Sequence, residues 1–205
     1  MKSAPGHPTQ TRLLETVVAL LDEHPAEGLT VDLILSRSGV SKGSLYHHYA
    51  DLADLIETAL THLFTESVNA NIAVLSDVVL NSATPQECYE RLREVTRLTQ
   101  DRALFPVRAR RAGVLAMCVR NPRLLEKVAA IQTKLTCAYT DLFTILQKRN
   151  WMSRDFDPHA ASIMIQAYTV GKIVDDISSA PVDPSHWTAL IDAILAKVFG
   201  MTPPP

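Results

Sequence analysis

Glycine is scarce in this 205-residue sequence, cysteine is scarcer, and neither sign of charge dominates: seven glycines, three cysteines, and 20 Lys and Arg against 22 Asp and Glu for a net charge of −2. So few glycines leave no glycine-rich loop to cradle a phosphate, and no nucleophile motif is present. Cys88, Cys118 and Cys137 are odd in number and widely spaced, which excludes a disulfide framework and a paired-cysteine metal site. They read as buried free thiols in a reducing compartment. No apolar run approaches the roughly 18 residues a membrane span needs, and the opening MKSAPGHPTQ lacks the apolar centre of a signal peptide. The expected location is the cytoplasm.

Catalytic and metal-ligating constellations are missing too. Asp175 and Asp176 are adjacent, so on a helix they point about 100° apart and make a poor acid/base pair. His47 and His48 have the same geometry, and His7, His24, His62, His159 and His186 are scattered without ligand spacing. No enzyme, metal or cofactor is expected. No segment alternates like a strand, so the fold class is all-α.

The informative stretch is TVDLILSRSGVSKGSLYHHYADLADL, residues 30–55. Thr30 suits a helix N-cap, with Asp32 in the first turn and Val31, Ile34 and Leu35 forming an apolar stripe. Gly39 stands where a helix ends in the left-handed conformation that glycine adopts without strain. Ser41 can cap a second helix two residues later, so the two helices must cross steeply, as in a helix-turn-helix. On that second helix Val40, Leu45 and Tyr49 turn toward the first, while Lys42, Gly43, Tyr46 and His47 point away. Lys42 can donate to guanine or phosphate, and Gly43 lets a backbone approach the bases. Ser44, Tyr46, His47 and His48 can hydrogen-bond phosphate oxygens. The plain alternative is a short helix with core aromatics and two solvated histidines.

GVSKGSLYHHY, preceded by a TV(D)xI helix and an upstream amphipathic helix, resembles the DNA-binding domain of the tetracycline-repressor (TetR) family of transcriptional regulators over about residues 9–62. The resemblance implies that Lys42, Gly43 and Tyr46 face bases while Thr30, Ser44, His47 and His48 hold phosphates, with Ser41 capping the recognition helix. It further implies a dimeric regulator on a palindromic operator of double-stranded DNA, most simply a repressor released by a small-molecule effector. Two positions depart from the family: Leu52 stands where a phosphate-binding lysine is common, and Leu35 where a small alanine is common. A rival reading is a helical small-molecule- or protein-binding domain with weak or lost DNA binding.

Charge is unevenly placed. Residues 1–60 hold four cations (Lys2, Arg12, Arg37, Lys42) against eight acids, 4 − 8 = −4, which runs against the basic footprint of a nucleic-acid module. Nine arginines crowd residues 91–123 with only Glu94 and Asp101 among them. They are expected to pair with acids of the first sixty residues; an anion site or an auxiliary DNA contact are the alternatives.

Beyond the motif, Thr84-Pro85, Asn121-Pro122, Asp157-Pro158 and Asp183-Pro184 each place a capping side chain before a proline at the first helical position. With Thr9–Glu23, the two motif helices, a long helix opening near Asp51 and a segment around Val107–Val119, the expectation is nine helices in two domains. These are a three-helix DNA-binding domain, residues 1–50, and a helical effector-binding and dimerisation domain, residues 51–205. The continuity of the long helix should let movement at one end be felt at the other. Residues 160–177 are apolar on most sides and Trp187, Leu190, Ile191, Ile194, Leu195 and Val198 define one clean face, so these two helices are expected to form a homodimer's four-helix bundle through Met164, Tyr168, Trp187, Ile191, Ile194 and Leu195. Tyr89, Phe105, Met117, Cys118, Tyr139 and Phe143 are candidates for an effector cavity taking a mostly apolar ligand, with Trp151 at its edge.

Overall fold

The computed structural model describes residues 7–201. Among them no strand occurs, and the helices are α1 (Pro8–Glu23), α2 (Val31–Ser38), α3 (Lys42–His48), α4 (Leu52–Asn81), α5 (Pro85–Gln100), α6 (Phe105–Cys118), α7 (Pro122–Lys148), α8 (Pro158–Gly171), α9 (Ile173–Asp176) and α10 (Pro184–Phe199). The expected single helix over residues 160–177 is interrupted at Lys172. Counting α8 and α9 as one broken rod gives nine, as expected.

The caps explain where these helices start. Thr30, Ser41, Thr84, Asn121, Asp157 and Asp183 each accept a backbone N–H of the first turn through the side chain. At α5 the box closes from both sides, with Glu87 accepting from Ala83 N at 2.8 Å while Thr84 accepts from Glu87 N at 3.1 Å. Asp51 and Asp54 open α4 in the same reciprocal way: Asp54 N donates to Asp51 at 2.7 Å and Ala50 N to Asp54 at 3.2 Å. Gly39 ends α2 at φ 66° and ψ 16°, the left-handed cap that the sequence requires there.

The chain divides into a first unit ending at Glu66 and a second beginning at Ser67. The first unit closes around Leu13, Val17 and Leu20 of α1, Ile34 of α2, Leu45 of α3, Tyr49, and Leu55 and Ala59 of α4. The opening turns of α4 thus supply core residues to the first unit. Leu52 and Leu35, the two departures from the family pattern, pack against that core.

In the second unit the 27-residue α7 buries Leu124, Val128, Leu135, Tyr139, Leu142, Phe143 and Leu146 along one stripe. Its closest packing is with α8, and α10 packs on α5. Among the described residues α4 alone is long and apolar enough to meet the length and composition of a membrane span, and one side of it is buried, through Leu55, Ala59, Leu60, Phe64, Val68, Leu75, Val78 and Val79. Cys88 and Cys118 are buried free thiols as expected, but Cys137 is exposed because it falls on the outer side of α7.

Candidate nucleic-acid interface

The turn between α2 and α3 is held from inside. Leu45 is fully buried and Tyr49 is 4% exposed, its hydroxyl donating to the Gln10 carbonyl of α1 at 3.3 Å. With those two facing inward, helical geometry sends Lys42, Gly43, Tyr46 and His47 outward, and all four are exposed. Tyr46 leaves 46% of its surface in solvent, unusual for a ring able to enter a core.

Hydrogen bonding within the turn leaves donors available to a partner. Ser41 Oγ accepts from Ser44 N at 3.2 Å and donates to Ser44 Oγ at 3.0 Å, so the Ser44 hydroxyl hydrogen is left to donate outward. Thr30 accepts from Leu33 N at 3.3 Å and keeps its own hydroxyl hydrogen in the same way. Lys42 has no ion-pair partner among the described residues, whereas Arg37 is held by Glu23 of α1 at 2.5 Å.

Gly43 is instructive by what surrounds it. A Cβ built there would meet nothing within 4 Å, and the residue lies in ordinary helical conformation. A glycine inside a helix costs about 0.5–1 kcal/mol relative to alanine, and no internal contact repays it. Gly39, by contrast, is needed for its positive φ, with Arg12 Nη2 lying 3.6 Å from where its Cβ would stand.

The histidines form a group that the sequence pattern did not disclose. His7 reaches over from the start of α1, its ring centre 4.8 Å from that of His48, while His47 and His48 meet edge to face at 5.0 Å. Burial first, and then the repulsion of His7 and His47, push the His48 imidazole below its ordinary value. His7 had looked isolated because its partners lie some 40 positions away in sequence, a separation that residue spacing does not register.

The other candidates lie in the second unit. Tyr89 packs on Phe199 of α10, ring centres 5.8 Å apart, and lies under the Arg93 guanidinium at 5.6 Å. Tyr139 packs on Phe143 at 6.3 Å, and burial pushes its phenol up to about 12. Cys118 is buried, its thiol turned back on the Val114 carbonyl at 3.2 Å, and Phe105 and Met117 are half-buried. Two hollows in this unit are lined by other residues: a slit between α5 and α10, and an open groove between α4 and α5. Trp151 lies on the loop after α7 beneath the Arg149 guanidinium at 4.9 Å.

Of the expected dimer residues, Met164 is exposed, Tyr168, Trp187, Ile194 and Leu195 are half-buried, and Ile191 is turned into the core at 6% exposure. The freely exposed apolar side chains nearby are Ile163 and Met164 of α8 and Leu190 of α10.

The arginine-rich stretch is largely internal scaffolding. Arg91 pairs with Asp77 at 2.5 Å, Arg93 and Arg97 with Asp192 at 2.6 and 3.1 Å, and Arg108 with Asp176 at 2.7 Å. For these four the partners are acids of their own unit, not of the first sixty residues as expected. Arg108 is 4% exposed and also donates to the Thr99 and Asp101 carbonyls at 2.9 and 3.0 Å, which ties the start of α6 to α9.

Residues 13–59 match the family model described as bacterial regulatory proteins, tetR family. Similar solved structures include GusR of Salmonella enterica, 18% identical with 98% of this chain and 100% of that chain covered, TM-score 0.66. A TetR-family transcriptional regulator from Agrobacterium tumefaciens is 16% identical, with 93% and 97% covered and a TM-score of 0.64. FadR of Bacillus halodurans, a fatty acid degradation regulator, is 14% identical, with 94% and 96% covered and a TM-score of 0.61. No curated protein matches this chain in sequence.

Proposed function

We propose, on the premise that this chain carries the tetR-family helix-turn-helix on the fold of solved tetR-family regulators, that it is a dimeric transcriptional repressor of the cytoplasm, released from a palindromic operator by a small-molecule effector. The observation that carries the DNA half is the outward side of α3: Lys42, Gly43, Tyr46 and His47 are exposed together, and Gly43 has no internal role. In this reading Lys42, Gly43 and Tyr46 meet base edges in the major groove, while Thr30, Ser44, His47 and His48 donate to phosphates. Ser41 holds the register of the helix.

The dimer half is supported by the exposed apolar side chains Ile163, Met164 and Leu190 on α8 and α10, which a second copy would cover. A two-fold pair would present two α3 helices to successive half-sites. The effector belongs to the second unit, and α4, unbroken from Leu52 to Asn81, supplies a continuous element through which binding can bias one operator spacing over another. Coupling of that kind is typically about 1–3 kcal/mol.

Titration of the purified protein against DNA flanking its own gene, followed by mobility shift, tests the reading. Saturable binding that Tyr46→Ala abolishes is the expected result. Binding seen only at very low salt and indifferent to that substitution would favour the rival, a helical ligand-binding module without an operator, to which the acidic balance of residues 1–60 lends weight.

A further inference from the structure

The slit between α5 and α10 carries chemistry that nothing above uses. Thr96, Arg97 and Gln100 face Trp187, Thr188 and Asp192 across a space of about 10 Å³, room for a single water. Gln100 is 7% exposed. Its Oε1 accepts from the Trp187 indole N–H at 3.3 Å, which fixes the orientation of the amide, since the reverse would set donor against donor. The Nε2 donor is then buried without an acceptor among the described residues. Buried polar groups are normally satisfied, so a donor held in place and left open marks a position where something else binds.

The charge around it has a sign. Asp192 is 7% exposed and takes two guanidiniums, Arg93 at 2.6 Å and Arg97 at 3.1 Å, so the cluster sums to one positive charge. The hydrogen bond from Arg93 is the main cause holding the Asp192 carboxyl below its ordinary value. Arg93, at the shorter distance and with 16% of its side chain exposed, is the firmer partner of Asp192, and Arg97, with 46% of its side chain in solvent, is the one able to turn to a ligand. Lys172 Nζ lies 5.6 Å from the Trp187 ring centre but is paired with Asp175 and Asp176, so the positive charge left for a ligand is that of Arg97.

We infer that this slit is the seat of a carboxylate ligand, one oxygen accepting from Gln100 Nε2 and the other from Arg97, with Trp187 and Ile191 as the apolar wall for the ligand's body. A carboxylate is larger than the roughly water-sized space of the slit, so its entry displaces Arg97 or Trp187. The inference deepens the effector half of the proposed function by naming the ligand's class, and its test contains no DNA, so either can fail without the other.

The sequence has two tryptophans, and Trp151→Phe leaves Trp187 as the only tryptophan, excited selectively at the red edge of its absorption where the five tyrosines do not absorb. Propionate and hexanoate are titrated into that variant at constant ionic strength, with propionamide and hexanamide as uncharged controls. The expected result is a saturable change in Trp187 emission, at least tenfold tighter for each acid than for its amide. Gln100→Glu keeps an acceptor for the indole N–H but replaces the open donor with a like charge, and should weaken binding at least tenfold. Arg97→Met, on an exposed side chain that leaves Arg93 with Asp192, should do the same and covers the case in which Gln100→Glu fails to fold. Equal responses to acid and amide, no saturable response, or an affinity untouched by Arg97→Met would overturn it and leave the slit as a water site.

Discussion

Lys42 and Arg108 are both cations placed by short helical turns, yet they sit in opposite circumstances. Lys42 stands in solvent with no carboxylate beside it among the described residues; Arg108 is buried, with its donors taken up by Asp176 and two carbonyls. The first unit is acidic and leaves its few donors outward, whereas the second is rich in arginine and uses much of it internally. Net charge by region is therefore a poor guide to where an anion binds. What matters is which donors remain uncommitted once the fold is built, and by that measure Lys42 outranks Arg91, Arg93 and Arg108, each already paired with a carboxylate.

The sharpest way to break the contrast is at Arg108. Arg108→Leu leaves buried Asp176 with only the longer Lys172 contact at 3.8 Å, and losing the main partner of a buried pair costs about 3–5 kcal/mol, so chemical denaturation should show a stability loss approaching that order. A loss under about 0.5 kcal/mol, the usual size for a surface site, would place Arg108 with Lys42. At Lys42 the pattern should invert. Lys42→Met should leave the unfolding transition within about 0.5 kcal/mol while operator affinity falls by about 1–3 kcal/mol if it meets a base, or the salt slope drops by about one if it meets a phosphate. A smaller effect concerns the histidines beside α3. With the folded pKa of His48 lowered, the folded state binds a proton less readily than the unfolded chain. Stability is thus whole above the unfolded value of 6.5 and declines as pH falls from there through the folded pKa. Melting curves from pH 7.5 to 5 should show that decline, and His48→Gln should flatten it. An unchanged slope would mean that neither burial nor the neighbouring rings lower the His48 imidazole.

The helices that could be read from sequence were those whose ends carry their own instructions. Thr84, Asn121, Asp157 and Asp183 act on N–H groups two or three residues away, so local order suffices to find them. Gly39 and the inward turn of Leu45 and Tyr49 were legible for the same reason. The interruption at Lys172 was not, because Asp176 just beyond it is held by Arg108, 68 residues earlier. The arginine partners were misjudged since charge counting by region assigns no address to a guanidinium. His7 escaped notice because its meeting with His48 depends on how α1 is folded back. The effector residues were chosen as aromatic and sulfur groups at helical spacing, and that pattern describes ordinary core packing equally well. The slit was invisible for a further reason: an amide is marked as a binding group only when one of its two ends is already occupied.

Gly43 has one more implication. With open space where its side chain would be, that position is decoupled from the architecture of the domain: bulk can be added or removed there with no neighbouring side chain obliged to repack. In the proposed reading, substitution at 43 retunes which sequence the helix accepts, and the only folding change expected is the roughly 0.5–1 kcal/mol of helix propensity that glycine forgoes. Most surfaces must trade one against the other, and here a single backbone position keeps the two separable.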